Sequence, residues 1–403
     1  MSPHHPSLLL SRSLVRPREP AFWIFVAVLA VTAVIQFGEQ GFLRQLSPSG
    51  WLLAWGLVAL YVAPASILVY TLDLYEREPI RIVLASALWG AVAATTLSAI
   101  GNEGWGLVVA RIGGPDFAAR WSAALTAPVI EEVAKGAGIV LLVLIVRDEV
   151  EDLMDGFVYG AVCGLGFAAV EDVFYLVGVF GGTTSGVVQG FFVRIVAGGL
   201  YGHVLYSGLV GMAVGVVVSR RTGDVIRSRR ALAALLCAAA VGGHFLWNSP
   251  LLTFFPPEPW TGTDWLVIPL ATAVKGLPLL TFVGLAIRLA RRRERKWLDR
   301  ALRLELDHEG LTPAELEVLR APARRQAARR AIRRRAGARA SRLLHRLQRE
   351  QMNLAMVRSY VADDADPALV AQRALCRSLR DALDAIPGAA RGATAAEPVP
   401  GDR

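Results

Sequence analysis

Four ionisable positions stand inside four separate apolar stretches of this 403-residue chain: the pair Glu131-Glu132, then Glu171, His203 and His244. Carboxylates serve as bases and metal ligands, and imidazoles as proton carriers and metal ligands. Such a set is equipped to activate a water molecule and to stabilise the charge its attack creates. An ionisable group in hydrocarbon is costly and ordinarily faces a shared interior or a wet cavity. At a helical rise of about 1.5 Å per residue, Glu131, Glu132 and Glu171 fall roughly 13 Å below one face of a bilayer. Counted the same way, His203 and His244 fall roughly 15 Å below that face, so all share one layer.

Helical spacing adds neighbours. Lys135 follows Glu131 by four residues, the favourable order for a Glu–Lys pair. Phe167 shares a face with Glu171, and Asn248 with His244. Each feature alone has a bland explanation: an ion pair between helices, a hydrogen-bonded core histidine, polar glue between spans. Taken jointly they favour a functional site, because Ser, Thr or Asn would glue helices at far less cost than carboxylates.

The elements that must position these groups are membrane spans. Hydrophobic residues make up 54% of the chain and charged ones only 19%, against about 25% charged in a soluble domain, and the mean hydropathy is +0.43. Apolar runs of roughly 20 residues lie near 21–38, 51–72, 80–101, 123–146, 156–180, 190–219, 231–255 and 265–290. The fold expected is therefore all-α, a polytopic bundle of about eight transmembrane helices. The third run is expected to end at the Gly-rich Gly101-Asn102-Glu103-Gly104. The sixth is too long for a simple crossing and is expected to begin as an interfacial segment. Small residues at steps of three and four, from Gly156 and Gly160 through Gly164 to Gly208, Gly211 and Gly215, predict closely approaching helices.

Charge sets orientation and division. Residues 291–403 hold 25 of the 43 Lys/Arg and 15 of the 34 Asp/Glu, a net +10, which leaves −1 for residues 1–290. Basic loops mark the cytoplasmic side: Arg12, Arg16 and Arg18 before the first span, Arg220, Arg221, Arg227, Arg229 and Arg230 after the sixth, and Arg291-Arg292-Arg293 after the eighth. The chain is thus expected in the cell membrane, multi-pass, with both termini cytoplasmic. The polar layer then lies in the outer half of the bilayer. The acidic loop 147–155 contributes little to orientation. The expected organisation is a flank (1–20), a membrane domain (21–290) and a basic tail (291–403). The first run lacks a small-residue cleavage site and reads as a retained anchor. In the tail, Thr312 reads as an N-cap with Pro313 at the first helical position and Glu315 at the third. The Arg/Ala-rich stretch 320–349 reads as a basic helix or partly disordered arm attracted to anionic lipid headgroups. The residues from Pro387 on read as disordered. The tail's charge carries no fold signature of a nucleic-acid-binding module, so nucleic acid is not expected as a partner. Cys163, Cys237 and Cys376 have no spacing motif and read as packing residues.

At this point the residues resemble a known family. Glu131-Glu132-Val133-Ala134-Lys135 is similar to the EExxK motif of the PrsW-type intramembrane proteases, relatives of the CAAX prenyl endopeptidases and of bacteriocin-processing membrane enzymes. Asp152–Gly160, continuing through Gly164-Leu165-Gly166-Phe167 to Glu171-Asp172, resembles that family's second block, which ends in FxxxE. Gly202-His203 resembles the third block, and His244 with Asn248 the fourth. The resemblance covers roughly 120–290. It implies hydrolysis of a peptide bond in a membrane-anchored protein, of the anti-sigma-factor kind, near the extracytoplasmic side. It also leaves two schemes. In one, His203, His244 and a carboxylate, with Glu171 preferred, hold Zn2+ with a position open for water. In the other, Glu131 or Glu132 activates water directly while His203, His244 and Asn248 form an oxyanion hole. Lys135 restrains one glutamate in either.

Two rival classes are a transporter that uses the same polar layer and a non-catalytic scaffold that recruits a partner through its basic tail. An ion- or proton-coupled transporter predicts inverted repeats and broken helices, and residues 1–145 and 146–290 show no convincing self-similarity. Lys275 and Arg194 are its best features, though either reads as well as a snorkelling cation or the partner of an acid. A non-catalytic scaffold is disfavoured, because every acid and imidazole of the motif set is present.

Overall fold

The structure, a computed structural model, describes residues 13–72, 78–146, 150, 152–197, 201–219, 228–251, 264–308 and 310–389. All regular elements among them are helical: α1 (Pro20–Leu46), α2 (Pro48–Tyr70), α3 (Ile80–Leu88), α4 (Thr95–Gly113), α5 (Pro115–Ile145), α6 (Leu153–Phe174), α7 (Thr184–Gly190), α8 (Gly202–Val218), α9 (Arg229–Asn248), α10 (Asp264–Leu304), α11 (Pro313–Leu319), α12 (Pro322–Tyr360, two halves that meet at a break at Gly337) and α13 (Pro367–Asp384). The all-α polytopic bundle is as expected.

The spans differ in detail from the eight runs. Among the described residues six helices are long and apolar enough to cross a membrane: Pro20–Leu46, Pro48–Tyr70, Ile80–Gly113, Leu153–Val179, Arg229–Asn248 and Thr272–Leu304. Helix α5 is long enough at 31 residues, but Glu131, Glu132 and Lys135 raise its polarity. The third run does not end at Gly101. A π-turn, Trp89–Ala94, joins α3 to α4, and the helix continues to Gly113. A Cβ at Gly101 would come within 2.6 Å of the Ile130 side chain, so that glycine serves close packing of α4 on α5 and breaks nothing. The sixth run is two pieces. A short helix with a π-turn, Thr184–Ala197, packs against α2 and the end of α6, and α8 begins afresh at Gly202.

The glycine ridges do what small residues do in a bundle. A Cβ on Gly156, Gly160 or Gly164 of α6 would strike the carbonyl of Gly211, Ser207 or His203 on α8. The two helices therefore run antiparallel with their backbones touching. Helix α6 starts with a capping box in which Asp152 and Asp155 satisfy each other's backbone N–H groups, as such boxes do. The core around this pair includes Trp89, Phe157, Tyr159, Phe167, Tyr206 and Leu209.

Beyond residue 290, α10 runs unbroken to Leu304, so the boundary expected at 290/291 falls inside a helix. The tail is no loose arm over its described part. Ile332, Ala340, Leu344 and Leu347 of α12 pack with Leu369, Cys376, Leu379 and Leu383 of α13. Leu298 and Leu302 of α10 meet Leu316 and Leu319 of α11 and Met352 of α12. The Thr312–Glu315 capping box is present with Pro313 in the first turn. Arg12, Arg220, Arg221 and Arg227 lie outside the described residues, as do Asp148, Glu149 and Glu151 of the acidic loop and everything after 389.

Candidate active site

Helix α5 supplies the centre. Glu131 and Glu132 are consecutive, and Lys135 lies one turn on, so its ammonium reaches back to both: 3.3 Å to Glu131 Oε2 and 2.9 Å to Glu132 Oε1. Lys135 is fully buried and sits 3.7 Å over the Phe167 ring of α6. Pro128, one turn earlier, removes an N–H from the α5 ladder. Trp89, in the π-turn between α3 and α4, donates its indole N–H to the Ala134 carbonyl at 2.9 Å. That bond pins the α5 turn between the glutamates and the lysine to its neighbour.

Helix α8 brings His203 and α9 brings His244. His203 Nδ1 lies 3.0 Å from Lys135 Nζ and 3.8 Å from Glu131 Oε2. His244 Nε2 lies 3.9 Å from Glu131 Oε2, and its Nδ1 3.2 Å from Glu132 Oε1. The second contact is not aligned as a hydrogen bond, so His244 Nδ1 is buried and without a hydrogen-bond partner among the described residues. The Tyr206 ring stacks flat on His244, centroids 4.6 Å apart at 7°, and fixes the plane of the imidazole. One ligand-capable atom from each of Glu131, Glu132, His203 and His244 falls within 4.8 Å of the others.

Glu171 stands outside that foursome. Its Oε2 receives His203 Nε2 at 2.9 Å and Arg194 Nη2 at 2.6 Å, so it meets the side of the imidazole facing away from the glutamate pair. Asn248 is also apart. It lies one turn beyond His244 at the end of α9, where its amide donates to the Ala123 carbonyl at 3.4 Å. Arg194 proves to be the partner of acids, bonded to both Glu171 and Asp172. Lys275 donates to the Trp247 and Ser249 carbonyls at 3.2 and 3.0 Å. A cation there suits the negative end of α9.

Four polar contributors went unread. Ser207 Oγ donates to Glu132 Oε2 at 3.1 Å, and Asn102 Nδ2 to Glu131 Oε1 at 3.2 Å. Tyr61 OH donates to Asp172 at 2.5 Å, and Tyr206 backs His244. Ser207 follows His203 by four residues and shares its face, a signal that was available. Asn102 lies in the Gly-rich stretch expected to end the third run, which instead continues as α4. Tyr61 sits on α2, far from every motif, and nothing local marks it.

One side of the arrangement is a closed ionic core and the other is partly exposed. Glu131, Glu132, Lys135 and His244 are at most 3% exposed. The side chains of Glu171, His203 and Arg194 keep 18%, 18% and 25% of their surface.

Comparison with known proteins bears on the same helices. The sequence profile described as PrsW family intramembrane metalloprotease matches residues 78–274, from the start of α3 into α10. The "Protease PrsW" of Geobacillus kaustophilus (strain HTA426) is 27% identical over 219 residues, covering 53% of this chain and 80% of that protein. No solved structure matches the chain. Residues 78–274, which carry the whole cluster, therefore match the PrsW family of intramembrane proteases.

Proposed function

We propose that the chain hydrolyses a peptide bond of a membrane-anchored protein, of the anti-sigma-factor kind, near the extracytoplasmic face. The observation that carries this reading is the meeting of Glu131, Glu132, His203 and His244 within 4.8 Å, delivered by three helices into one largely buried cluster. A set of carboxylates and imidazoles held in the bilayer is expensive to maintain for packing alone.

Glu132 is the base that takes a proton from the attacking water and returns it to the leaving amine. Its other oxygen is held by Ser207, which leaves Oε1 facing Lys135 and His244. Those two groups carry the positive charge and the N–H nearest to a developing oxyanion. The family description includes a metal, and the donor set fits one. Two imidazoles and two carboxylates converge within 4.8 Å, and one buried imidazole nitrogen lacks a hydrogen-bond partner among the described residues. His203, His244 and Glu131, rather than Glu171, would hold a divalent ion. Zn2+ suits that donor set and would supply a polarised water and a Lewis acid. Glu171 then orients His203 from behind.

The enzyme works in the cell membrane with both termini cytoplasmic, and the basic tail draws anionic headgroups of the inner leaflet. A single-span reporter with a tagged extracytoplasmic end tests the reading. Glu132→Ala and His244→Ala should each abolish cleavage while yield and helicity in detergent are unchanged. Cleavage at the wild-type rate by both variants would remove the site.

A further inference from the structure

Arg194 lies outside the blocks that carry the family resemblance, on the π-turn Phe191–Ala197 that follows α7. Three groups hold it. Its Nη2 meets Glu171 Oε2 at 2.6 Å and its Nε meets Asp172 Oδ1 at 2.8 Å. Its guanidinium carbon stacks 3.5 Å over the Tyr175 ring. Asp172 is steadied in turn from α2 by the Tyr61 hydroxyl at 2.5 Å. A guanidinium fixed on three sides presents its remaining N–H groups in one direction.

The oxygen that Arg194 holds is the oxygen that His203 meets, since Glu171 Oε2 receives both Arg194 Nη2 and His203 Nε2. A carboxylate bound by a guanidinium is an acceptor, so His203 Nε2 must carry the hydrogen. Lys135 is a donor without lone pairs, so the facing Nδ1 must accept. The two neighbours demand the same neutral tautomer, with the Nδ1 lone pair aimed at the glutamate pair.

We propose that Arg194 is a positioning residue that fixes the plane and the tautomer of His203 through Glu171. The inference rests on the protease reading of the site, but the state of the ring is measurable without proteolysis. The alternative is a purely structural role, in which Arg194 only ties the segment before α8 to α6.

Two measurements decide. The first is 15N spectroscopy of protein labelled at histidine nitrogens, with the His203 signals assigned by their loss in His203→Gln. Wild type should show one protonated Nε2 and one lone-pair Nδ1. Arg194→Gln should lose that single state to a mixture, and Arg194→Lys should retain it in part. Unchanged His203 signals in Arg194→Gln overturn the proposal, whatever the protein cleaves. The second is reporter cleavage. Arg194→Gln should lower kcat by about 10–100-fold, the usual loss when the group orienting a histidine ligand is removed, with KM within about twofold of wild type. Arg194→Lys should recover most of that loss. A fall in melting temperature with kcat intact would assign Arg194 to structure. Absence of cleavage by wild type itself would count against the protease reading and leave the spectroscopic result to decide on Arg194.

Discussion

At the scale of single residues, Lys135 is the group whose removal has the clearest consequence. It neutralises two adjacent carboxylates and touches His203, and it does so with none of its surface in solvent. Removing one partner of a buried pair leaves an uncompensated charge, at about 3–5 kcal/mol. Lys135→Met should therefore lower the melting temperature in detergent markedly. Glu131→Gln combined with Lys135→Met should recover part of the loss, because one of the two stranded charges goes with it. A melting temperature equal to wild type for Lys135→Met would mean that the carboxylates find another partner. The Glu131–Lys135 pair was legible from i,i+4 spacing alone. The depth count was equally direct, because a regular helix converts residue number into height. That is why the glutamate pair and both histidines could be placed in one layer before any contact was known. Glu171 shared the layer but not the foursome. Height says nothing of azimuth, and its helix turns it toward Arg194.

Elements show where sequence patterns mislead and why. Gly101 and Gly104 suggested a stop, yet the helix runs through them, and Gly101 is a contact point with Ile130. The π-turns are equally silent in sequence, since a single inserted residue leaves no periodic signature. Two of them matter to the site: one puts Trp89 on the α5 backbone and one carries Arg194. The small-residue ridge of α6 was legible as close packing, and its consequence is testable. Gly164 lies against the His203 carbonyl and Gly160 against that of Ser207, so each acts on the site through the backbone of α8. Gly164→Ala should force α8 outward and cost about 1–3 kcal/mol, as overpacking does, with activity falling alongside stability. Gly242 on α9 has open space around its would-be Cβ. Gly242→Ala should stabilise α9 by about 0.5–1 kcal/mol through helix propensity. Thermal unfolding of both variants in one detergent checks the pair. A Gly164→Ala protein as stable as wild type would mean that the α6–α8 approach is looser than the structure has it.

For the whole molecule, the unforeseen feature is the tail. Its Arg-rich composition hid an apolar core, with Ile332 before the break at Gly337 and Ala340, Leu344 and Leu347 after it meeting Leu369, Cys376, Leu379 and Leu383 on one side of α13. Gly337, at φ 84°, ends the first half of α12 and lets the second half fold back on it. These helices build a second core on the end of α10, sealed by ion pairs: Glu305, with none of its surface exposed, takes Arg373 at 2.7 Å, and Arg373 and Arg358 share Asp364. Hydrogen bonds from Arg373 hold the Asp364 carboxyl below its usual range. Burial pushes Glu350 upward, but hydrogen bonds from Gln372, Asn353 and Arg349 outweigh it and leave that group lowered too. A carboxylate whose folded value lies below its unfolded one lends stability that is fully present above the unfolded value. That stability is lost as pH falls through the unfolded value, about 4, and on toward the depressed one. The tail should therefore loosen below about pH 4 while the spanning helices, whose stability rests on apolar packing, persist. Backbone hydrogen exchange on the full chain at pH 7 and pH 3.5, corrected for intrinsic rates, should show α11–α13 losing protection while α6 and α8 keep theirs. Equal protection of the tail at both pH values would mean that its apolar core alone holds it, and that the Glu305–Arg373–Asp364 network adds little.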